Sequence, residues 1–570
     1  MQTSMPTGPR RPPAWPRRVP HSIPLPQTTL WENLAISAKR YPDKTALLFF
    51  GRGFTFGELH DSAMRLAGWL QHDAGVKAGD RVMLMMQNSP QFVIASYAIM
   101  RADAVVVPVN PMSQPEEITH YLADPQARVA ICSAELAGRI DAACGLLPQG
   151  ERLRQLLVTR YADCMPDPVA PEEQPPPAWH DWLFADPAPP AQATRWADAL
   201  ARGLEPLAAR AGPDDLFALC YTSGTTGRPK GCMHTHRTVM HNTIGISLWG
   251  GTNCAAEVTL GVVPMFHITG MLFAIHGPIY TGATNVIMPR WDRDLAGRLI
   301  SRHRVSHWTN IPPMIIDLLG SPRLDQYDLS SLASIGGGGA AMPQAVAQRL
   351  EQQFGLRYVE GYGLTETAAP SHTNPPDAPK RQCLGVPFIG TDARIVEPGT
   401  RRELDVGETG EIVIQGPQVF KGYWNRPADT EAAFFELDGK RFFRTGDLGH
   451  VDADGYFFLT DRLKRMINAS GFKVWPAEVE TTLFRHPAVL EACVIAARDP
   501  YRGETVKAVI VLRDDAKARG VGAGEIIAWA REHMAAYKVP HIVEFVESLP
   551  KSGSGKVMWR QLQERESGSG

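Results

Sequence analysis

The chain lacks any run of about 18 or more apolar residues, so no membrane-spanning helix is expected. It has almost no net charge: 58 Lys and Arg stand against 60 Asp and Glu, a formal charge of −2. Nonspecific nucleic-acid binding feeds on a large basic excess, so a nucleic-acid partner is not expected, whereas local basic pockets for an anionic ligand remain open. The eight cysteines lie at 132, 144, 164, 220, 232, 254, 383 and 493. No two are three apart, which removes the spacing of a zinc knuckle. They read as reduced, buried small hydrophobes, and a reducing, cytoplasmic setting fits them best. No apolar stretch follows the early arginines, so a secretory signal is not expected there. There is no internal repeat.

What is present is an ordinary globular composition, 44% hydrophobic and 21% charged over 570 residues. Single cores stop growing near roughly 250–300 residues, so at least two domains are expected. Residues 1–27 are dense in proline, carry four arginines and have no acid. They read as a mobile, extended arm, and peripheral contact with anionic lipid is left open. From Leu30 onward helical and strand patterns alternate, which implies a parallel sheet covered by helices. The proline-rich stretch from about 165 to 200 breaks the pattern and reads as an irregular surface excursion. Between about 385 and 460 short strands and turns indicate a small β-rich subdomain. The last hundred or so residues alternate helix and strand in a unit large enough to fold alone. The closing ESGSG reads as a flexible tail.

Five segments carry chemistry. Tyr221-Thr-Ser-Gly-Thr-Thr-Gly-Arg-Pro-Lys-Gly231 follows the strand-like LFALC. Its glycines let backbone amides converge, its hydroxyls add donors and Lys230 adds charge, which together make a phosphate cradle. It is not a Walker A loop, because Pro229 stands where that motif has glycine. In Glu360-Gly-Tyr-Gly-Leu-Thr-Glu366 a carboxylate beside a hydroxyl offers the oxygen ligands that Mg²⁺ prefers. In Arg444-Thr-Gly-Asp-Leu-Gly449 a fixed carboxylate suits a ribose diol. Asp461-Arg-Leu-Lys-Arg-Met-Ile-Asn-Ala-Ser-Gly-Phe-Lys473 lies where the β-rich segment ends, a natural hinge. Pro550-Lys-Ser-Gly-Ser-Gly-Lys556 can bring a lysine to a reacting phosphate. Each of the last four, taken alone, reads as readily as an ordinary turn, linker or tail.

Their occurrence in this order, from about residue 28 to the C-terminus, resembles the adenylate-forming superfamily: acyl- and aryl-CoA synthetases, adenylation domains and luciferases. The resemblance implies an α/β fold. A large N-terminal domain of helix-covered sheets plus a small β-rich subdomain would span 28–463, and a small mobile α+β domain 464–570. It implies that a carboxylic acid attacks the α-phosphate of ATP, and that a thiol, usually coenzyme A, then displaces AMP. It assigns ATP or AMP contacts to Thr222, Ser223, Gly224, Thr225, Thr226, Gly227 and Lys230, and to Gly338, Gly339 and Ala340. The same role falls to Glu360, Gly361, Tyr362, Gly363, Asp447 and Arg462. Thr365 would touch the α-phosphate, Glu366 hold Mg²⁺, and Lys556 bridge the carboxylate and α-phosphate. Lys464 occupies the hinge position, and Ser470, Gly471, Phe472 and Lys473 would face coenzyme A. Gly553 departs from the β-branched or basic residue of many relatives, while the lysine and its neighbouring glycine are kept.

Pro264-Met-Phe-His-Ile-Thr-Gly270 resembles the segment bordering the acyl pocket, which implicates His267 and Ile268, with Asn310 nearby. No acid lies between Pro264 and His276 to pair a substrate ammonium, and an unpaired ammonium in an apolar pocket is costly. Met265, Phe266, Met271, Leu272, Phe273, Trp308, Ile311 and Met314 point to a greasy pocket. A medium- or long-chain fatty acid is the expected substrate. An aryl or cinnamoyl acid, an enzyme loading a carrier protein, and a nonenzymatic nucleotide sensor are the alternatives. Self-association into a homodimer is left open.

Overall fold

The computed structural model describes residues 12–222, 229–250, 254–462, 465, 467–469, 472–474, 476–499, 503–551 and 557–568. Among the described residues the strands form four sheets. The first is nine-stranded, and its six central strands run parallel: Thr45–Phe49, Thr284–Ile287, Val258–Gly261, His307–Asn310, Ser334–Gly337 and Tyr358–Leu364. The second is seven-stranded, parallel except at one edge, where Lys230–Thr235 returns antiparallel to Leu216–Thr222. Parallel strands are buried on both faces and read as continuous apolar runs; Val105–Pro108 and Val129–Ser133 are buried throughout.

Helices lie between these two sheets and join them into one apolar core. Phe56–His72 shows why they form. Thr55 Oγ1 accepts the amide of Glu58, and the Glu58 carboxylate accepts the amide of Thr55, a closed capping box. Leu59, Ala63, Leu66 and Leu70 then recur at helical spacing on the buried face. Pro90–Arg101 starts on Ser89 with proline in its first turn and is buried along almost its whole length.

The β-rich segment is a five-stranded antiparallel sheet built from Asp392–Val396, Gly410–Gln415, Phe434–Leu437, Lys440–Val451 and Phe457–Arg462. A last five-stranded sheet, with helices Pro476–Leu483 and Ala523–His533, has its own core around Val494, Val506, Ile510 and Ile526. The two units meet where the Asp461 carboxylate accepts the Ala477 amide at 2.6 Å, at the start of the helix.

Two expectations are corrected. Residues 12–27, read as part of a mobile arm, are laid down on the protein. Trp15 packs edge-on against Trp249 at 5.3 Å, and the His21 carbonyl accepts the Gly390 amide at 2.8 Å. A tryptophan outweighs the local proline signal by burying apolar area against Phe388 and Tyr456. The rest of the arm, residues 1–11, lies outside the described residues. The stretch at 165–200 is irregular, as its prolines require, yet it is pinned. Trp179, Leu183 and Trp196 are buried, and the fully buried Glu173 carboxylate pairs with Arg302 at 2.9 Å and His303 at 2.6 Å. The edge strand Ala193–Arg195 even extends the seven-stranded sheet.

Seven of the cysteines are buried and Cys254 is exposed, all as free thiols. No described helix is long and apolar enough to cross a membrane.

Candidate active site

The site lies at the carboxyl ends of the parallel strands. Register places Asn310 beside Gly337 and Gly337 beside Glu360, so three strand ends line up. Glycine is required there for close approach: a Cβ on Gly337 would stand 1.8 Å from the Asn310 carbonyl oxygen, and one on Gly338 2.3 Å from that of Gly361. Gly339 turns through φ +88° and, with Ala340, is exposed at the rim.

Tyr358–Leu364 turns at Thr365–Thr367 and comes back antiparallel as Ala369–Thr373. This hairpin carries both ends of the site. At one end the Tyr362 hydroxyl donates to Asp447 Oδ2 at 2.6 Å. Asp447 is only 2% exposed, on the long strand Lys440–Val451, and its backbone partner is Arg462. At the other end Glu366 Oε1 accepts from the Tyr423 hydroxyl at 2.8 Å, and the Glu366 carbonyl accepts the Phe420 amide at 2.8 Å. Lys230 Nζ lies 5.1 Å from the centre of the Tyr423 ring and pairs with Asp429. The hairpin therefore carries Glu366 and binds Asp447 through Tyr362, and Lys230 is linked to it through Tyr423, although the three are far apart in the chain.

The tight turn has its own supports. Ala368 and Ala369 both sit at positive φ, +50° and +76°, which costs energy for residues with a side chain. Asn242 answers this: its side-chain amide donates to the carbonyls of Thr367, Ala368 and Pro370 at 2.8–3.1 Å. His234 donates from Nε2 to the Thr365 carbonyl at 2.6 Å. A carbonyl only accepts, so this nitrogen carries the proton. Burial pulls the His234 pKa down to about 4, and the Thr365 contact opposes that only in part, so the ring stays neutral.

The segment expected to cradle phosphate is fixed at its base. Thr222 pairs with Lys230 across the strand edge, the Tyr221 hydroxyl donates to Asp124 at 2.6 Å, and His120 Nε2 donates to the Pro229 carbonyl at 2.7 Å. Ser223, Gly224, Thr225, Thr226 and Gly227 lie outside the described residues. So do Lys464, Ser470, Gly471 and Lys556. The loop bearing Lys556 leaves and returns through a Lys551–Val557 bridge, and the Met558 amide donates to the Pro550 carbonyl at 2.7 Å. Phe472 and Lys473 belong to the strand Phe472–Val474, paired with Ile467–Ala469.

Two of the residues expected at the ligand, Glu360 and Asn310, also hold the backbone. Both Glu360 oxygens accept backbone amides, from Met342 and Gln382 at 2.7 Å each. Burial raises its pKa while these bonds pull it down. Its carboxylate clamps the rim of the site. Asn310 is 1% exposed and braces strands, accepting from the Tyr358 hydroxyl and donating to the Trp308 carbonyl at 3.1 Å each. His267 is exposed at the start of the short helix Ile268–Met271, while Ile268 is buried. Met265, Ile268, Met271, Leu272, Trp308 and Met314 fall in one apolar cluster.

Sequence reasoning missed Tyr423, His234, Asn242 and Asn88. Asn88 ties the Pro264–Gly270 segment down, accepting the Met265 amide at 2.7 Å and donating to the carbonyls of Gly261, Val263 and Met288. Only Tyr423 left a trace in the sequence, an aromatic directly after a glycine that the structure holds at φ +146°.

Helix-covered parallel sheets with a glycine-rich, hydroxyl-rich sequence after one strand and polar side chains at the strand ends are the features of a nucleotide-binding enzyme scaffold. The chain matches the AMP-binding enzyme model over residues 34–424 and the AMP-binding enzyme C-terminal domain model over 478–556. It belongs to that family, the adenylate-forming superfamily, and is an AMP-forming acid–thiol ligase. It is 37% identical to a long-chain-fatty-acid–CoA ligase of Bacillus subtilis (strain 168), covering 97% of each chain. It is 35% identical to a feruloyl-CoA synthase of Amycolatopsis, covering 93% of this chain and 97% of that one. Its fold matches ATP-bound MatB from Rhodopseudomonas palustris with a TM-score of 0.80 at 27% identity, covering 94% and 99% of the two chains.

Proposed function

We propose that the chain activates a medium- or long-chain fatty acid with ATP to an acyl-adenylate and then transfers the acyl group to coenzyme A. The observation that carries this reading is the linkage of Lys230, Glu366 and Asp447 through the Tyr358–Thr373 hairpin and Tyr423. The β- and γ-phosphates lie in the Thr222–Lys230 loop, with charge from Lys230. The adenine sits between Tyr362 and the Gly338–Ala340 rim. Asp447, already anchored by the Tyr362 hydroxyl, takes the ribose diol, with Arg462 opposite it. Thr365 meets the α-phosphate. Lys556 spans the attacking carboxylate and the α-phosphate, where negative charge gathers as the P–O bond to pyrophosphate breaks.

Mg²⁺ fits the donor set. Among the described residues no three His, Cys, Asp or Glu side chains form a cage. This ion needs none, since one or two carboxylates plus phosphate oxygens and water satisfy it. Glu366 would hold it, and the ion would neutralise phosphate charge.

In the second half-reaction the domain from 464 onward pivots at Lys464. The Ser470–Lys473 segment then replaces the Lys556 loop and faces coenzyme A.

The absence of an acid between Pro264 and His276 supports an aliphatic tail. The Bacillus relative's name supports the same choice. The feruloyl-CoA synthase relative supports an aryl acid as the second reading. A panel from acetate to octadecanoate plus benzoates and cinnamates, scored by pyrophosphate release with and without coenzyme A, decides between them. Release peaking on long aliphatic acids is expected. A peak on cinnamates would overturn the fatty-acid reading, and activity only with a carrier protein would overturn coenzyme A.

A further inference from the structure

Tyr423 lies outside every motif that pointed to the nucleotide, yet it touches the two charged groups at the phosphate end. Its placement is built in three ways. Residues 421–424 lie against the strand that carries Lys230: the Lys421 amide donates to the Met233 carbonyl at 3.0 Å, the Met233 amide to Gly422 at 3.0 Å, and the Trp424 amide to Gly231 at 2.8 Å. The Tyr423 amide donates to Thr430 Oγ1 at 2.9 Å, while Gly422, at φ +146°, leaves no room for a side chain against Thr430. The ring packs edge-on to Phe420 at 4.8 Å, and the Phe420 amide in turn holds the Glu366 carbonyl.

From this seat the ring face meets Lys230 at 5.1 Å and the hydroxyl donates to Glu366 at 2.8 Å. One side chain thus sets the spacing between a phosphate-binding cation and a candidate metal-binding carboxylate.

Resting on the roles given above to Lys230 and Glu366, we propose that Tyr423 is a positioning residue that orients the Glu366 carboxylate towards Mg²⁺ while seating Lys230, so that ATP binds as its magnesium complex. Tyr423 takes no part in the bonds that form and break, and its effect belongs to ATP binding and adenylation alone.

Tyr423→Phe removes the hydroxyl and keeps the ring beneath Lys230. Calorimetric binding of α,β-methylene ATP to the full chain, with and without magnesium, reads the effect directly. Wild-type protein should bind the analogue more tightly with magnesium. Y423F should lose about tenfold of that tightening, the scale of one hydrogen bond to a charged group, and keep magnesium-free binding within about twofold. The KM for ATP should rise about tenfold, while the KM for the acid and thiolysis of supplied acyl-adenylate stay unchanged. Full magnesium-dependent tightening in Y423F would overturn the proposal, as would an equal fall in binding with and without the metal.

Thr430→Val is the second variant if Y423F does not fold. It loosens the seat without touching the hydroxyl and should give a smaller defect of the same kind, and a wild-type response would overturn the proposal. A wild-type chain that shows magnesium-dependent binding but releases no pyrophosphate with any acid would sink the ligase reading and leave this one standing.

Discussion

Gly363→Ala tests whether the hairpin geometry is the basis of the site. Gly363 lies between Tyr362 and Thr365, at a register shift in the hairpin. A Cβ there would stand 1.7 Å from the Ala369 carbonyl oxygen, 2.3 Å from its carbon and 3.0 Å from Pro370 Cα. All three are backbone atoms, so no rotamer change relieves the clash. The two arms must part by roughly 2 Å to reach ordinary contact. That is enough to break the 2.8 Å bond from Tyr423 to Glu366 or the 2.6 Å bond from Tyr362 to Asp447. A misplacement near 1 Å can cost about 10²-fold in rate, and overpacking costs about 1–3 kcal/mol of stability. Acid-dependent exchange of pyrophosphate into ATP should therefore fall at least a hundredfold, with a modest drop in melting temperature. Gly138→Ala, in the helix Ala137–Leu146 with open space around it, should be neutral or slightly stabilising. If G363A exchanges within threefold of wild type, the hairpin does not set the spacing of the site.

Lys556→Ala should abolish pyrophosphate release and spare thiolysis of supplied acyl-adenylate; equal loss of both steps would contradict the role given to that lysine. Trp15→Ala should lower stability by about 1–2 kcal/mol in denaturant melts, less than a fully buried tryptophan because Trp15 is half-buried; an unchanged midpoint would mean that the N-terminal strap is not held in solution. Acid should destabilise the protein through its buried histidines: burial lowers His234, His236 and His241 to about 4, and His276 and His372 to about 3. Their unfolded-state pKa is higher, so the unfolded chain binds the extra protons. The stability is complete above about pH 6.5 and is lost as pH falls towards 4, by about 2 kcal/mol per histidine at pH 5. Denaturant midpoints that stay level between pH 7.5 and 5 would refute this.

The alternation of strand and helix was legible because each element carries its own signal. Thr29 and Thr55 precede Glu32 and Glu58 at capping-box spacing, and helices begin after both. The phosphate loop, the hairpin with Glu366 and the turn with Asp447 were legible for a related reason: their glycines and hydroxyls are local devices that work through backbone geometry. The arm at 12–27 was misread because proline density is a local signal, whereas Trp15 gains its hold from Trp249 and Phe388, far along the chain.

The sequence alone determined the periodicity of the elements, the order of the motifs and so the family to which the chain belongs, because these are written within short windows. Tertiary structure decided what each polar side chain is for. It gave the acid Glu360 two backbone amides to hold, it gave His234 and Asn242, silent in the linear text, the task of fixing the turn, and it set Tyr423 against Glu366. A side chain's role depends on which partners burial brings within about 3 Å, and those partners lie dozens to hundreds of residues away.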